Sequence, residues 1–227
     1  MKFDKYGRIA RIYPALICLL PILLFFNFSN NEVIIELTSK LGVKIVSNIS
    51  LVAVLTYLFA MICRGISKEM EREFFKNELE FPTTNYLLGS DSTFSTEYKH
   101  KIIEKAEKEF GMRFPSDEEQ TNNEPQARKQ IAEIVGQIRN KVRDGNLLLQ
   151  HNIEYGFVRN LIGGSFLSVL LSLLLLAYYI LQQANIGLII VSGILALFYF
   201  SLILLRTILL KRYSELYAKR LYMEFLN

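Results

Sequence analysis

His151 and Glu154 stand three residues apart in a stretch with helix-forming character, so an imidazole and a carboxylate share one helix face and can exchange a proton. The same spacing also suits a helix surface or packing contact just above a membrane, and both readings stay open. The cysteines, Cys18 and Cys63, lie in apolar blocks away from the only histidines, His100 and His151. A Cys–His nucleophile is therefore not supported, and the thiols read as reduced groups facing lipid or other helices. No glycine-rich phosphate loop precedes a helix, no GxSxG elbow occurs, and no Cys/His spacing matches a zinc site. The expectation is a protein that is not an enzyme and carries neither metal nor cofactor.

Binding chemistry is better represented than catalysis. The segment Pro82–Ser95 packs Thr83, Thr84, Asn85, Ser90, Asp91, Ser92, Thr93 and Ser95 into fourteen residues. Short polar side chains and backbone amides in such a loop hold a polar ligand, or else serve as caps and turns. Downstream, residues 124–143 read as a helix carrying Arg128, Lys129, Arg139, Lys141 and Arg143. Arg139 and Arg143 are four apart and share a face that can meet phosphates, or a solvated face with none. Tyr86, Phe94 and Tyr155 add rings on which bases can stack. The candidate ligand-binding set is Thr83, Thr84, Asn85, Ser90, Asp91, Ser92, Arg139, Arg143, His151 and Tyr155. Ser47, Asn48 and Thr56 are the candidate pore-lining residues, because an amide such as Asn48 is costly against lipid and must face protein or water.

These residues need elements to hold them. The apolar residues, 51% of the 227, come in blocks. Four blocks have the length of a bilayer crossing, at about 9–28, 43–63, 161–181 and 186–205. The first contains Pro14 and Pro21, which a spanning helix tolerates when neighbours satisfy the freed carbonyls. A cleaved signal peptide is not expected, since no small-x-small site follows the first block before Asn30. Asn30 or Asn31 caps a short helix, NEVIIELTSKL, that lies in the interface or extends the second span. Gly164, Ser168 and Ser172, spaced by four, form a ridge that lets another helix approach closely. No span has an internal charged residue, which counts against a proton-coupled transporter. The protomer is too small to enclose a conduit, so any pore lies on the symmetry axis of an oligomer.

Residues 1–28, 64–160 and 206–227 hold 24 of the 26 basic residues, leaving only Lys40 and Lys44 for the remaining connections. By the excess of Lys and Arg on the inner side, both termini and the middle segment face the cytosol. The expected fold is an all-α membrane protein: four transmembrane helices as two hairpins flanking a helical cytosolic domain. The first hairpin with its tail occupies 1–63, the cytosolic domain 64–160, the second hairpin 161–205, and a C-terminal cytosolic helix 206–227. Within the cytosolic domain, Ser67–Glu80 reads as a helix ended by Pro82. Ser95 caps the next helix, whose apolar face is Ile102, Ile103, Ala106 and Phe110 and which Gly111 terminates. FPSDEEQTNNEP reads as a polar loop. The long helix from Glu124 buries Ile131, Ile134, Val135, Ile138 and Val142. Asp144-Gly145 breaks it, and a further helix leads into the third span.

The stretches FPTTNYLLGSDSTFSTEYK and VRDGNLLLQHNIEYGFVRNLIGG resemble a group of bacterial membrane effectors encoded beside nucleotidyltransferases in anti-phage loci, the Hailong defence system among them. The resemblance covers about residues 81–165 in motif and the whole chain in layout. It implies a homotetrameric ion channel in the lipid bilayer of a bacterial inner membrane. A single-stranded DNA or other nucleic acid oligomer, or a nucleotide, made by the partner nucleotidyltransferase binds on the cytosolic side and holds the channel closed. It assigns no ligand contacts residue by residue. The alternative expectation is a membrane-anchored scaffold or signalling adaptor without a pore.

Overall fold

The computed structural model describes residues 4–28, 45–77, 79–143 and 145–227, with backbone only at 45–51, 146 and 147. The expected short helix at NEVIIELTSKL and Asp144 lie outside these residues. Every regular element among the described residues is helical. Two helices, Leu148–Leu181 and Ile186–Leu204, are long and apolar enough to cross a membrane, and a third crossing arises if the bent pair Lys5–Cys18 and Leu20–Phe28 acts as one span. The segment assigned to the second span enters the helix Ile45–Phe74.

The chain divides into two compact units. One comprises residues 1–68 and 156–208, the other 69–155 and 209–227. The divisions fall inside three continuous helices, Ile45–Phe74, Asn146–Leu181 and Arg206–Leu226.

In the first unit, apolar side chains such as Leu181 (80% exposed) and Leu197 (70%) point outward. That surface suits hydrocarbon and not water. The inside is organised around the N-terminal helix, which bends by 46° between Cys18 and Leu20. Two prolines cause its irregularity. A proline has no N–H, so the carbonyl four residues earlier loses its helical donor. For Pro14 that carbonyl is Ala10 O, and the Asn160 amide donates to it at 2.6 Å. For Pro21 it is Ile17 O, and the Tyr199 hydroxyl donates to it at 2.5 Å. The Tyr179 hydroxyl donates to Leu24 O at 3.1 Å, further along the same helix. Ser168 Oγ donates to Cys18 O at 2.8 Å, with Gly164 O at 2.9 Å as its alternative acceptor.

Each donor is itself buried or anchored. Asn160 also accepts from Ser67 Oγ at 2.7 Å, so one amide ties the N-terminal helix, the Ile45–Phe74 helix and the Asn146–Leu181 helix together. This close approach depends on Gly163, where a Cβ would stand 2.7 Å from the Ser67 backbone nitrogen. The ridge Gly164, Ser168, Ser172 faces this interior, with both serines fully buried.

The second unit has its own core. Ile102 and Ala106 of the Thr96–Phe110 helix meet Ile131, Ile134, Val135 and Ile138 of the Glu124–Val142 helix. The C-terminal helix Arg206–Leu226 buries Leu210, Ser214, Ala218, Leu221, Tyr222 and Phe225, a repeat of three to four residues that keeps one face inward. Phe110 and Phe225 stack at 5.9 Å.

Two local expectations are corrected. The helix through Ser67–Glu80 stops at Phe74, well before Pro82. Lys76 and Asn77 turn the chain with positive φ, Asn77 N closes on Arg72 O at 2.8 Å, and the turn buries Phe75 against Phe81 at 4.6 Å. Burial of that aromatic pair outweighs the helix propensity of the charged residues around it. The polar stretch FPSDEEQTNNEP is not an open loop, since Asp117–Asn122 is a helical turn with a complete capping box between Ser116 and Glu119. The Ser116 amide, and secondarily Arg113, pulls the Glu119 carboxyl below the ordinary carboxylate range.

The proline account predicts a coupling. Tyr199→Phe leaves Ile17 O buried without its side-chain donor and is expected to cost about 1–3 kcal/mol, read as a lower midpoint of thermal unfolding in detergent. Pro21→Ala restores a backbone donor to the same carbonyl, so the double variant loses less than Tyr199→Phe alone. Strict additivity would contradict the account.

Candidate functional site

The polar stretch after Pro82 splits into two parts with different fates. Its first part is structural. Pro82–Asn85 forms one helical turn, and Thr83 and Thr84 are fully buried. Thr83 Oγ1 accepts from Arg139 Nη2 at 3.0 Å, and Thr83 O accepts from the Tyr222 hydroxyl. Burial pushes the Tyr222 phenol well above its ordinary value, so it stays a donor. The Arg139 guanidinium lies over the Phe81 ring at 5.4 Å. Tyr155 is buried, donates to the Glu71 carboxylate and meets Phe81 edge-on at 5.8 Å. Thr83, Thr84, Arg139 and Tyr155 thus belong to a closed polar and aromatic core rather than to an open ligand surface. Thr83 is satisfied by Arg139 and Tyr222, and Tyr155 by Glu71, as buried polar groups require.

The second part is open. Residues 89–95 run between two clefts of the second unit. The first cleft, about 590 Å³, has an aromatic wall of Phe74, Phe75 and Tyr86 and is lined by Arg128 and Lys211 together with Glu80, Asp91 and Glu215. The second cleft, about 720 Å³, is lined by Ser92, Phe94, Lys99, His100, Glu107 and Gln120, among others. Ser90 and Asp91 line both clefts.

Three ties hold the loop. Lys99, only 8% exposed, donates to Leu88 O at 2.5 Å and to Asp91 O. Gly89 N donates to Gln120 Oε1 at 2.8 Å, and a Cβ at Gly89 would stand 2.6 Å from Asp117 Oδ1. Asp91 Oδ1 accepts from Thr93 N at 2.8 Å, an Asx turn. A buried ammonium held by two carbonyls replaces part of its hydration by fixed dipoles, and it ties Leu88 and Asp91 to one side chain. On the far side, Asn85 Oδ1 accepts from Arg128 Nη1 at 2.5 Å. The same guanidinium reaches Leu79 O at 2.9 Å and Glu124 at 2.7 Å. Burial raises the Tyr86 phenol, and the Glu215 and Asp91 carboxylates push it further.

The remaining candidates are scattered. Arg143 is exposed at the end of the Glu124–Val142 helix. His151 Nδ1 lies 3.6 Å from Glu154 Oε2, while Gln150 holds the other carboxylate oxygen at 3.0 Å. Neither lines the two clefts. Thr56 is buried, and its hydroxyl donates to Val52 O of its own helix at 2.6 Å. The side chains of Ser47 and Asn48 lie outside the described ones. Among the described residues, no group of three or more His, Cys, Asp or Glu converges as a metal site.

Lys99, Gln120, Lys211 and Glu215 escaped the sequence reading of the site, and Arg128 entered it only among the basic residues of its helix. Lys99 did leave a signal, since it stands one turn before Ile102 and Ile103 on the apolar stripe of its helix, where a lysine is anomalous. No protein-family model, curated protein or solved structure matches this chain.

Lys99→Met removes the ammonium while keeping an apolar stem. Hydrogen bonds to a charged donor are worth about 1.5–3 kcal/mol, so amide exchange across residues 89–93 is expected to rise roughly tenfold or more. Amides of the Glu124–Val142 helix stay protected. Unchanged exchange in the loop would contradict the latch.

Proposed function

We propose that this chain is a homo-oligomeric membrane effector whose ion-conducting pore is controlled by a nucleotide or short single-stranded nucleic acid on the cytosolic side. The observation that carries the reading is the pair of clefts flanking residues 89–95. They sit in a unit whose three divisions from the apolar unit fall inside continuous helices. Phe74, which lines the first cleft, ends the helix Ile45–Phe74 that holds the segment proposed as the second span, so ligand-dependent movement there has a route along one backbone into that segment.

The chemistry of the first cleft supports a ligand that combines rings and phosphates. Phe74 offers a ring face beside the buried rings of Phe75 and Tyr86, and Lys211 offers a cation near the anchored Arg128. Glu80, Asp91 and Glu215 repel a long polyanion, which favours a nucleotide or short oligomer over duplex nucleic acid. Four spans in two hairpins, with both termini in the cytosol of a bacterial inner membrane, is the topology of this proposal. The hydropathy blocks and the Lys/Arg distribution support it. The tetramer, the partner nucleotidyltransferase and the anti-phage setting rest on the resemblance of residues 81–165 to defence effectors. A scaffold without a pore is the competing reading, and the exposed apolar faces of the first unit serve an anchor equally well.

Ion flux from liposomes holding the purified chain separates the two. A pore releases ions, and short single-stranded DNA or a nucleotide on the side of the second unit changes the flux. Lys211→Glu is expected to weaken that effect about tenfold at low salt, the scale of one lost phosphate contact. Absence of flux with and without ligand would support the anchor and overturn the proposal.

A further inference from the structure

The two cysteines, 45 residues apart in sequence, come together in the interior of the first unit. Cys18 is 0% and Cys63 1% exposed, and the structure holds both as free thiols. A Cβ built on Gly164 would stand 2.5 Å from Cys18 Sγ and 2.6 Å from Cys63 Sγ, so both sulfurs crowd the same atom of the Asn146–Leu181 helix. Cys18 Sγ points to Leu161 O at 3.8 Å. Around them lie Ala15, Leu19, Phe59, Ala60 and Tyr199. Among the described residues no group of three or more His, Cys, Asp or Glu could hold a metal, so a two-thiol reaction fits the geometry better than a metal cage.

We propose that Cys18 and Cys63 are an oxidisable pair, forming an intrachain disulfide that staples the N-terminal helix to the Ile45–Phe74 helix. Both S–H bonds break and one S–S bond forms, and two electrons and two protons pass to the oxidant. Burial among apolar side chains selects that oxidant by class: a lipid-soluble quinone, reduced to its hydroquinone, reaches the pair, whereas an ionic oxidant confined to water does not. The staple sits one turn from the Pro14 and Pro21 irregularities, where the N-terminal helix relies on donors from other helices, and it fixes that helix covalently at its weakest point. This inference stands independently of any pore or ligand.

The test uses the full chain in native membranes. Membranes are treated with a short-chain benzoquinone or with ferricyanide, then denatured in excess N-ethylmaleimide for intact-mass and non-reduced peptide analysis. The expected result is loss of both alkylation sites after quinone, a Cys18 peptide joined to a Cys63 peptide, reversal by dithiothreitol, and two free thiols after ferricyanide. Cys63→Ser leaves Cys18 fully alkylatable. Gly164→Ala pushes a methyl between the sulfurs and sharply slows the cross-link. If that variant does not fold, the wild-type peptides still decide. Two free thiols after quinone, a quinone adduct on a single cysteine, or cross-links only between chains would each overturn the proposal. Equal oxidation by ferricyanide would overturn the lipid-phase route.

Discussion

A carbonyl stripped of its helical partner has water to turn to at a protein surface and nothing in hydrocarbon. Pro14 and Pro21 create that situation at Ala10 and Ile17, inside a helix that a bilayer of ordinary thickness would contain. The first unit is organised around the answer. Asn160 and Tyr199, from two other helices, aim their donors at those two oxygens. Asn160 in turn accepts from Ser67, so the constraint on one proline fixes the relation of three helices. Gly163 and Gly164 follow from the same requirement, because helices that exchange short hydrogen bonds approach closely enough to exclude side chains between them. The bend of the N-terminal helix is thus a specified feature with its own partners, and not looseness.

The second unit applies the same rule with polar side chains of its own. Thr83, Arg139 and Tyr222 satisfy one another in a closed core, and Lys99 spends its charge on two loop carbonyls. What remains unburied is the short run Gly89–Ser95, held at both ends yet open to a cleft on each side. A rigidly presented polar loop is a suitable platform for recognition, since little ordering entropy is lost when a ligand arrives.

Much of the fold was legible because its signals are local. Ser95, Gly111 and the stripe Ile131, Ile134, Val135, Ile138 act through nearest helical neighbours, and each performs the role its spacing predicts. The Ser116–Glu119 capping box was equally visible as S-x-x-E, but the polarity around it masked a single helical turn. The site was less legible because its polar residues look alike in sequence. Thr83 and Ser90 differ only in what tertiary packing brings to them: Arg139 and Tyr222 reach the first, and nothing covers the second. Conversely, Lys211 and Glu215 come from the far end of the chain, and no spacing rule links them to Asp91. The end of the Ile45–Phe74 helix was set by burial of Phe75 against Phe81, an interaction that propensity does not register.

The whole account rests on the first unit lying in lipid. In water, the donors at Ala10 and Ile17 would compete with solvent and contribute little, and exposed Leu181 and Leu197 would drive aggregation. Ser116→Cys and Ala184→Cys, each made in a chain whose native thiols are buried, probe the two sides directly with a membrane-impermeant maleimide on intact cells and on lysed ones. The account predicts labelling of Ala184→Cys from outside and of Ser116→Cys only after lysis. Labelling of both positions from the same side would contradict it.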